Sequence, residues 1–358
     1  MTYSVKDAGG LLTDGQPAAH RESEALLHLL FHSPWTLMAT LPRGLHAVRA
    51  LIGRTADLAP CAPPQSEGIH WVRAWSRAMR SHQWLKNLLI LLPALAAHQI
   101  DTVWPACLLA LISFSLCASA GYVINDLADT WHDRRHPVKC RRPFAAGDLS
   151  PLLGLAAAPL LLAVAFAVAF PLPGPVLGVL AGYVVLSTIY TVWLKKHIII
   201  DVVALAFLYG ARLMAGSQAT GVELSAWLVA MAIFLFLCLA LTKRCTEIID
   251  RIGSGSGDPA GRGYRLSDLP VLEGMAISSG FVGVLVVALY INSPTVSRLY
   301  RHPELLWLST AVLVYWLARI ILLCHRGEMH EDPILFAARD GASLLCLAAL
   351  VAIVIASL

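Results

Sequence analysis

The sequence predicts an all-α polytopic membrane protein of nine transmembrane helices, preceded by an amphipathic N-terminal segment. Three observations predict it. Of 358 residues, 57% are hydrophobic and only 14% charged, too few polar groups to clothe a soluble globule. Nine apolar runs approach the length that crosses a bilayer. Lys and Arg gather in alternate loops between those runs. The formal net charge of +4 is modest and forms no basic stripe, so no nucleic-acid partner is expected.

Taken in order, residues 1–70 read as a cytoplasmic extension and linker, and 71–358 as the membrane domain. Glu24 to Ile52, with Leu26, Leu27, Leu30, Trp35 and Leu41, is amphipathic and suits a membrane surface. Ala59 to Gly68, with Pro60, Pro63 and Pro64, reads as the linker. The N-terminus lacks the basic segment, apolar core and cleavage site of a signal peptide, so insertion is expected to rely on the first spanning helix.

The nine segments run from about Trp84 to Ala97, Val103 to Ile124, Leu149 to Phe170, Val176 to Trp193, Ile198 to Ala215, Ala226 to Leu241, Val271 to Ile291, Leu305 to Cys324 and Phe336 to Leu358. The first and sixth are short but can borrow flanking residues. One set of loops carries Arg134, Arg135, Lys139, Arg141 and Arg142, then Lys195 and Lys196, then Lys243, Arg244, Arg251, Arg262 and Arg265, and last Arg326. Three of the four alternate loops hold no Lys or Arg. The positive-inside rule puts the basic set in the cytoplasm and the C-terminus outside. The eight cysteines form no Cys-x-x-Cys pair and are expected to be unpaired thiols.

The chemistry begins where the second apolar run ends. At about 100° per residue, Asn125, Asp126, Asp129, Asp133 and His136 share one helix face. Like charges so close to a membrane are expensive unless compensated, which marks them as functional. Oxygen-only donors of this kind suit Mg²⁺, which binds through one or two carboxylates and takes its remaining oxygens from substrate phosphates. Asn125, Asp129 and Asp133 are the expected metal ligands, with Asp126 as alternate. Pro137 should end the helix, leaving Lys139, Arg141 and Arg142 to hold phosphate oxygens. The bland reading is a solvated, charge-mixed helix end.

Asn125-Asp126-x-x-Asp129-x-x-x-Asp133-x-x-His136-Pro137-x-Lys139-x-x-Arg142-Pro143 closely resembles the first acidic box of the UbiA-type intramembrane prenyltransferase superfamily. Arg80-Ser81-His82-Gln83-Trp84-Leu85-Lys86-Asn87 is similar to that superfamily's entry motif. The resemblance implies a UbiA-like helical bundle, and the nine-helix count matches it. Known aromatic prenyltransferases of the superfamily carry a second Asp-rich box after helix six. Here the sixth segment ends instead in Lys243-Arg244-Cys245-Thr246-Glu247, followed by Arg262-Gly263-Tyr264. That pattern resembles the decaprenyl-phosphate phosphoribosyltransferase branch, as do Asp201 with Arg212, and Glu331-Asp332-Pro333 with Asp340.

The branch resemblance implies transfer of 5-phosphoribose from 5-phosphoribosyl 1-diphosphate to a polyprenyl phosphate, releasing diphosphate. The product would be a step toward lipid-linked arabinofuranose or ribose donors for cell-envelope glycans such as arabinogalactan. On that basis Asp126, Asp129, Asp133, Lys243 and Glu247 are the candidate catalytic residues. Lys139 and Arg142 are candidates for the diphosphate, and Lys243, Arg244, Arg262 and Tyr264 for the sugar 5-phosphate. Glu247 would order the ribose hydroxyls, while Lys86, Tyr190, Lys195 and Arg212 would orient the acceptor phosphate. The implied setting is the bacterial inner membrane with the site facing the cytoplasm, and the resemblance suggests a homotrimer.

Simpler readings stand beside these roles: an i,i+4 pair of Lys243 with Glu247, an interfacial aromatic for Tyr190, and interfacial histidines for His98, His197 and His302. The alternative enzyme moves a prenyl group from its diphosphate to an aromatic acceptor. A non-catalytic lipid binder would keep the fold without releasing diphosphate.

Overall fold

The computed structural model describes residues 69–134, 139–259, 262–330 and 332–358. The amphipathic stretch, the linker, His136, Pro137 and Glu331 lie outside them. The described chain is helical, with no strand among the described residues. Helix α1 covers Ile69–Ala78, followed by a 3-10 helix over Ser81–Leu91 and the short α2, Leu92–Ala96. Then come α3 (Ile100–Asp133), α4 (Pro143–Ala146), α5 (Pro151–Ala169), α6 (Gly174–Val192), α7 (Ile200–Thr220) and α8 (Ala226–Gly253). The chain ends with α9 (Leu269–Ile291), α10 (Pro294–Leu299), α11 (Trp307–His325), α12 (Pro333–Ala337) and α13 (Gly341–Ser357).

Seven of the described helices, rather than nine, are long and apolar enough to cross a membrane: α3, α5, α6, α7, α8, α9 and α11. The departures are at the two ends. In the first expected span, Lys86 and Asn87 are buried and bonded inside the protein, and Leu92 starts a separate five-residue helix with Pro93 in its first turn. At the last, Asp340 divides the run, and Asp332 stands four residues before its start. Asp332 accepts from the Ile334 N–H at 3.2 Å and opens α12, and Asp340 accepts from the Ser343 N–H at 2.8 Å and opens α13, which is left with 17 residues. Elsewhere the helices outrun the apolar segments. Helix α3 continues through the acids to Asp133, and α8 continues through Lys243 and Glu247 to Gly253.

The chain divides into two compact units. The smaller contains, among the described residues, 69–74 and 126–152. In it Phe144 and Leu149 are fully buried.

In the larger unit, 75–125 and 153–358, α8 packs along α9 and α7, α7 packs on α6 and on the 3-10 helix, and α11 packs on α9 and α13. One core gathers Ile90, Phe114, Leu180, Tyr183 and Ala215, and another Leu241, Ile248, Tyr264, Leu272 and Met329. The outward faces stay apolar, with Phe170, Val271 and Leu345 exposed, as lipid contact requires. Close packing then depends on small residues. Gly216 of α7 lies so near the 3-10 helix that a Cβ would stand 2.0 Å from the Ile90 carbonyl oxygen.

Candidate active site

The acidic end of α3 belongs to the smaller unit. Asp126 and Asp133 are two turns apart on one face and both buried. Extended backbone at Arg142, just before α4, carries its guanidinium to both: one nitrogen donates to Asp126 Oδ1 at 3.2 Å and to Asp133 Oδ2 at 2.7 Å. Arg134 Nε donates to the Ala145 carbonyl at 3.1 Å, tying the helix end to the segment that bears Arg142. Burial raises the Asp133 carboxyl above the usual carboxylate range, and the Arg142 guanidinium only partly offsets it.

Two buried carboxylates sharing one cation are hard oxygen donors of the type Mg²⁺ takes. Among the described residues no three His, Cys, Asp or Glu groups close into a cage for an ion.

The larger unit holds two further charged groups. The first is built on Asp201, fully buried in the first turn of α7. Tyr190 of α6 donates its hydroxyl to Asp201 Oδ1 at 2.9 Å. Arg262 donates to the same oxygen at 3.3 Å, and Arg244 Nε stands 2.9 Å from Oδ2 as an ion pair rather than an angularly good hydrogen bond. Glu247 completes the set, ion-paired with Arg244 one turn earlier on α8 and with Arg262 Nε at 3.2 Å. Two carboxylates face two guanidiniums.

The approach to Asp201 is strained. Ile199 has φ 64° and ψ −46°, and Ile200 N–H donates to Ile198 C=O at 2.7 Å, a γ-turn that a β-branched residue rarely adopts. Tyr264 holds it, its hydroxyl accepting from the Ile199 N–H at 3.0 Å. Beside it, Gly263 lies where a Cβ would be 2.8 Å from the Lys196 carbonyl oxygen.

The second group is built on Asp332. Lys86 donates to Asp332 Oδ2 at 2.6 Å, and Lys243 Nζ lies 3.1 Å from the same oxygen. Burial alone would raise this carboxyl, and the ammonium groups of Lys243 and Lys86 outweigh it and hold it well below the usual carboxylate range. Next to Lys86, Asn87 accepts from Arg212 Nε at 2.8 Å and donates to Ser115 at 2.9 Å. Arg212 also donates to the Tyr183 hydroxyl at 3.1 Å and to the Leu208 carbonyl, and its guanidinium lies over the Tyr183 ring.

The family model for the UbiA prenyltransferase family matches residues 88–354, most of the chain. The chain belongs to the UbiA prenyltransferase family. Like other members it is helical and multi-pass, and its architecture is that of a UbiA homologue from Archaeoglobus fulgidus solved with GPP and Mg²⁺. That likeness has a TM-score of 0.60 at 16% identity and covers 78% of this chain and 99% of the other. The nodulation protein NoeC of Azorhizobium caulinodans is 34% identical over 290 residues, 77% of this chain and 94% of NoeC. A decaprenyl-phosphate phosphoribosyltransferase of Mycobacterium tuberculosis is 33% identical over 178 residues, 48% of this chain and 59% of that enzyme.

In this UbiA-family chain the residues singled out from the sequence fall into separate sets. Arg142 joins Asp126 and Asp133, while Asn125 and Asp129 lie half-buried on the same helix. Tyr190, Arg244 and Arg262 converge on Asp201, Glu247 pairs with the two arginines, and Tyr264 braces the turn beside Asp201. Lys243 turns away from Glu247 to Asp332, where it meets Lys86. Lys139 and Lys195 sit in 3-10 turns at Lys139–Arg141 and Leu194–Lys196.

Asp201 and Asp332, the carboxylates at the centre of both sets, had no role assigned from sequence. The signal for Asp201 was a lone acid inside an apolar run. For Asp332 it was an acid directly before Pro333 at a helix start.

Proposed function

We propose that this UbiA-family chain is a Mg²⁺-dependent polyprenyl-phosphate phosphoribosyltransferase, moving 5-phosphoribose from 5-phosphoribosyl 1-diphosphate to a polyprenyl phosphate with release of diphosphate. The observation that carries this reading is the charge at the end of α8. Lys243 and Arg244 stand where an aromatic prenyltransferase would carry a second acidic box, and Lys86, Arg212 and Arg262 add cations in the same unit. A reaction that gathers a sugar phosphate, a diphosphate and a lipid phosphate needs them. The partial match to decaprenyl-phosphate phosphoribosyltransferases supports the same branch.

Asn125, Asp129 and Asp133, with Asp126 as alternate ligand, would hold Mg²⁺. Bound there, the ion would neutralise charge building on the leaving diphosphate. Lys139 and Arg142 would grip diphosphate oxygens, Arg142 turning to them from the carboxylates it now bridges. As the anomeric bond lengthens, the ribose takes on oxocarbenium character. The lipid phosphate, already anionic, attacks the opposite face without a strong base and inverts the centre. Glu247, whose side chain is 36% exposed, is the member of the Asp201 set open to ribose hydroxyls. By the positive-inside rule the basic loops would put this chemistry on the cytoplasmic side of the inner membrane. The product would serve as a lipid-linked pentose donor.

A prenyl transfer to an aromatic acceptor is the second reading, favoured by the GPP found in the Archaeoglobus homologue. One experiment separates them. The purified protein in lipid is given labelled 5-phosphoribosyl 1-diphosphate with a polyprenyl phosphate, and in a parallel reaction a prenyl diphosphate with an aromatic acceptor. Label entering the lipid fraction only in the first reaction supports phosphoribosyl transfer. Product only in the second overturns it.

A further inference from the structure

Among the described residues of the larger unit, one set of buried charges does not balance. The Asp201 set, with Glu247, Arg244 and Arg262, is neutral. The neighbouring set is not. Among the described residues, Lys86, Lys243 and Arg212 bring three cations, and Asp332 is their one carboxylate. Glu247 acts on Lys243 through space, but its oxygen is already taken by two guanidiniums. The hydrogen-bonding partners of Arg212 are the Asn87 amide, the Tyr183 hydroxyl and the Leu208 carbonyl, all uncharged.

The three cations also belong to one place. Lys86 Nζ lies 5.8 Å from the centroid of the Tyr209 ring, and the Arg212 guanidinium lies 5.6 Å from the same centroid. Arg212 is hydrogen-bonded to Asn87, the residue after Lys86, and Lys243 shares one carboxylate oxygen with Lys86. Aromatic faces ease such charges only in part. Positive charge buried without its counter-charge is strongly destabilising, so two surplus cations so nearly enclosed call for an anion. Lys86 and Arg212 are buried, and the Lys243 side chain, 31% exposed, marks the way in.

We propose that Lys86, Lys243 and Arg212 form one receptor for a single phosphate dianion, with Asp332 as the positioning carboxylate that holds the two ammonium groups side by side. A phosphate monoester carries close to two negative charges near neutral pH, matching the surplus. The ammonium groups supply point charges and Arg212 a guanidinium braced from behind. For the origin of its ligand the proposal rests on the phosphoribosyltransferase reading, which supplies two monoesters: the 5-phosphate of the donor and the phosphate of the lipid acceptor. This grouping takes Lys243 away from the arginines beside it and joins it to residues of the 3-10 helix and α7.

The test measures equilibrium binding to the full-length protein in nanodiscs. Ribose 5-phosphate and farnesyl monophosphate are the probes, with ribose and farnesol as phosphate-free controls. Lys86→Met and Lys243→Met should each weaken the same one of the two phosphates by about ten-fold or more, the loss of a charge-assisted contact. Lys86→Arg and Lys243→Arg should recover most of it. The compound affected identifies the source of the phosphate. If the two methionine variants weaken different compounds, or neither, the single receptor is overturned. A methionine variant that fails to fold is replaced by its glutamine counterpart under the same criterion. Phosphoribosyl transfer is assayed on the wild type in parallel. Absence of transfer with both variants acting on one compound removes the proposed reaction and keeps the receptor, and transfer with a split pattern does the reverse.

Discussion

Gly216 and Ile90 meet backbone to backbone: a methyl group on Gly216 would lie 2.0 Å from the Ile90 carbonyl oxygen, where no side chain can yield. The contact seats α7, which carries Asp201 and Arg212, against the segment that carries Lys86 and Asn87. Gly216→Ala should therefore cost about 1 to 3 kcal/mol by overpacking and lower activity along with the thermal midpoint. Gly182→Ala, on α6 with open space around the added methyl, should leave the midpoint unchanged or raise it. Equal midpoints for the two variants would mean that α7 does not need this approach.

Asp133→Asn should abolish turnover while leaving the thermal midpoint near wild type, because Arg142 keeps Asp126 as a partner. Chelation should stop the wild-type reaction. Mg²⁺ or Mn²⁺ should restore it and Ca²⁺ should do so poorly, since Ca²⁺ prefers more ligands at longer distance. Full activity of Asp133→Asn at limiting Mg²⁺ would show that this carboxylate does not serve a metal.

Asp201→Asn removes one of the two carboxylates that neutralise Arg244 and Arg262. Breaking a buried pair from one side costs about 3 to 5 kcal/mol, most of it for the charge left behind. Folded yield and thermal midpoint should fall together. Adding Arg262→Gln should restore part of the loss, because it removes the surplus cation. A double variant less stable than Asp201→Asn alone would show that the set is not held by charge balance.

Tyr264→Phe should cost about 1 kcal/mol through the lost bond to the strained Ile199 N–H. Burial pushes the Tyr264 phenol up to about 12 from an ordinary value of 10.0. A raised value means that the folded state keeps its proton where the unfolded state has lost it. Stability from this group is therefore complete below pH 10 and declines as pH rises toward 12. Wild type should show that decline in thermal midpoint more steeply than Tyr264→Phe. Parallel curves would place the hydroxyl in water.

The acidic helix was legible because its spacing is local. A period near 3.6 puts Asp126 and Asp133 on one face wherever the helix goes, and the structure shows them sharing Arg142. The membrane spans were legible where apolar length alone decides, as in α5, α6 and α9. What escaped were long-range pairings. Lys86 and Asp332 are 246 positions apart, and Asp201 gathers partners from α6, α8 and the loop before α9. Nothing local in the sequence says that Lys243 will choose Asp332 over Glu247, four residues along its own helix. Long-range pairing also explains the two ends of the chain, where Lys86 and Asn87, and Asp340 ion-paired with Arg319, interrupt the expected spans.

Helix α3 has 34 residues, about 51 Å at 1.5 Å per residue, against a hydrocarbon layer of about 30 Å. Crossing that layer upright takes about 20 residues, so the helix has length enough to carry Asp126 and Asp133, in its last two turns, past the acyl chains. With the acids at that level, a water-soluble reactant would reach them without entering oil, and a lipid reactant would raise only its head. Chemistry fixed at that height is blind to how long the hydrocarbon below it is. Lipid acceptors that differ only in the number of distal isoprene units should therefore turn over at similar rates, with any preference among them arising from the depth of the bilayer rather than from the reacting end.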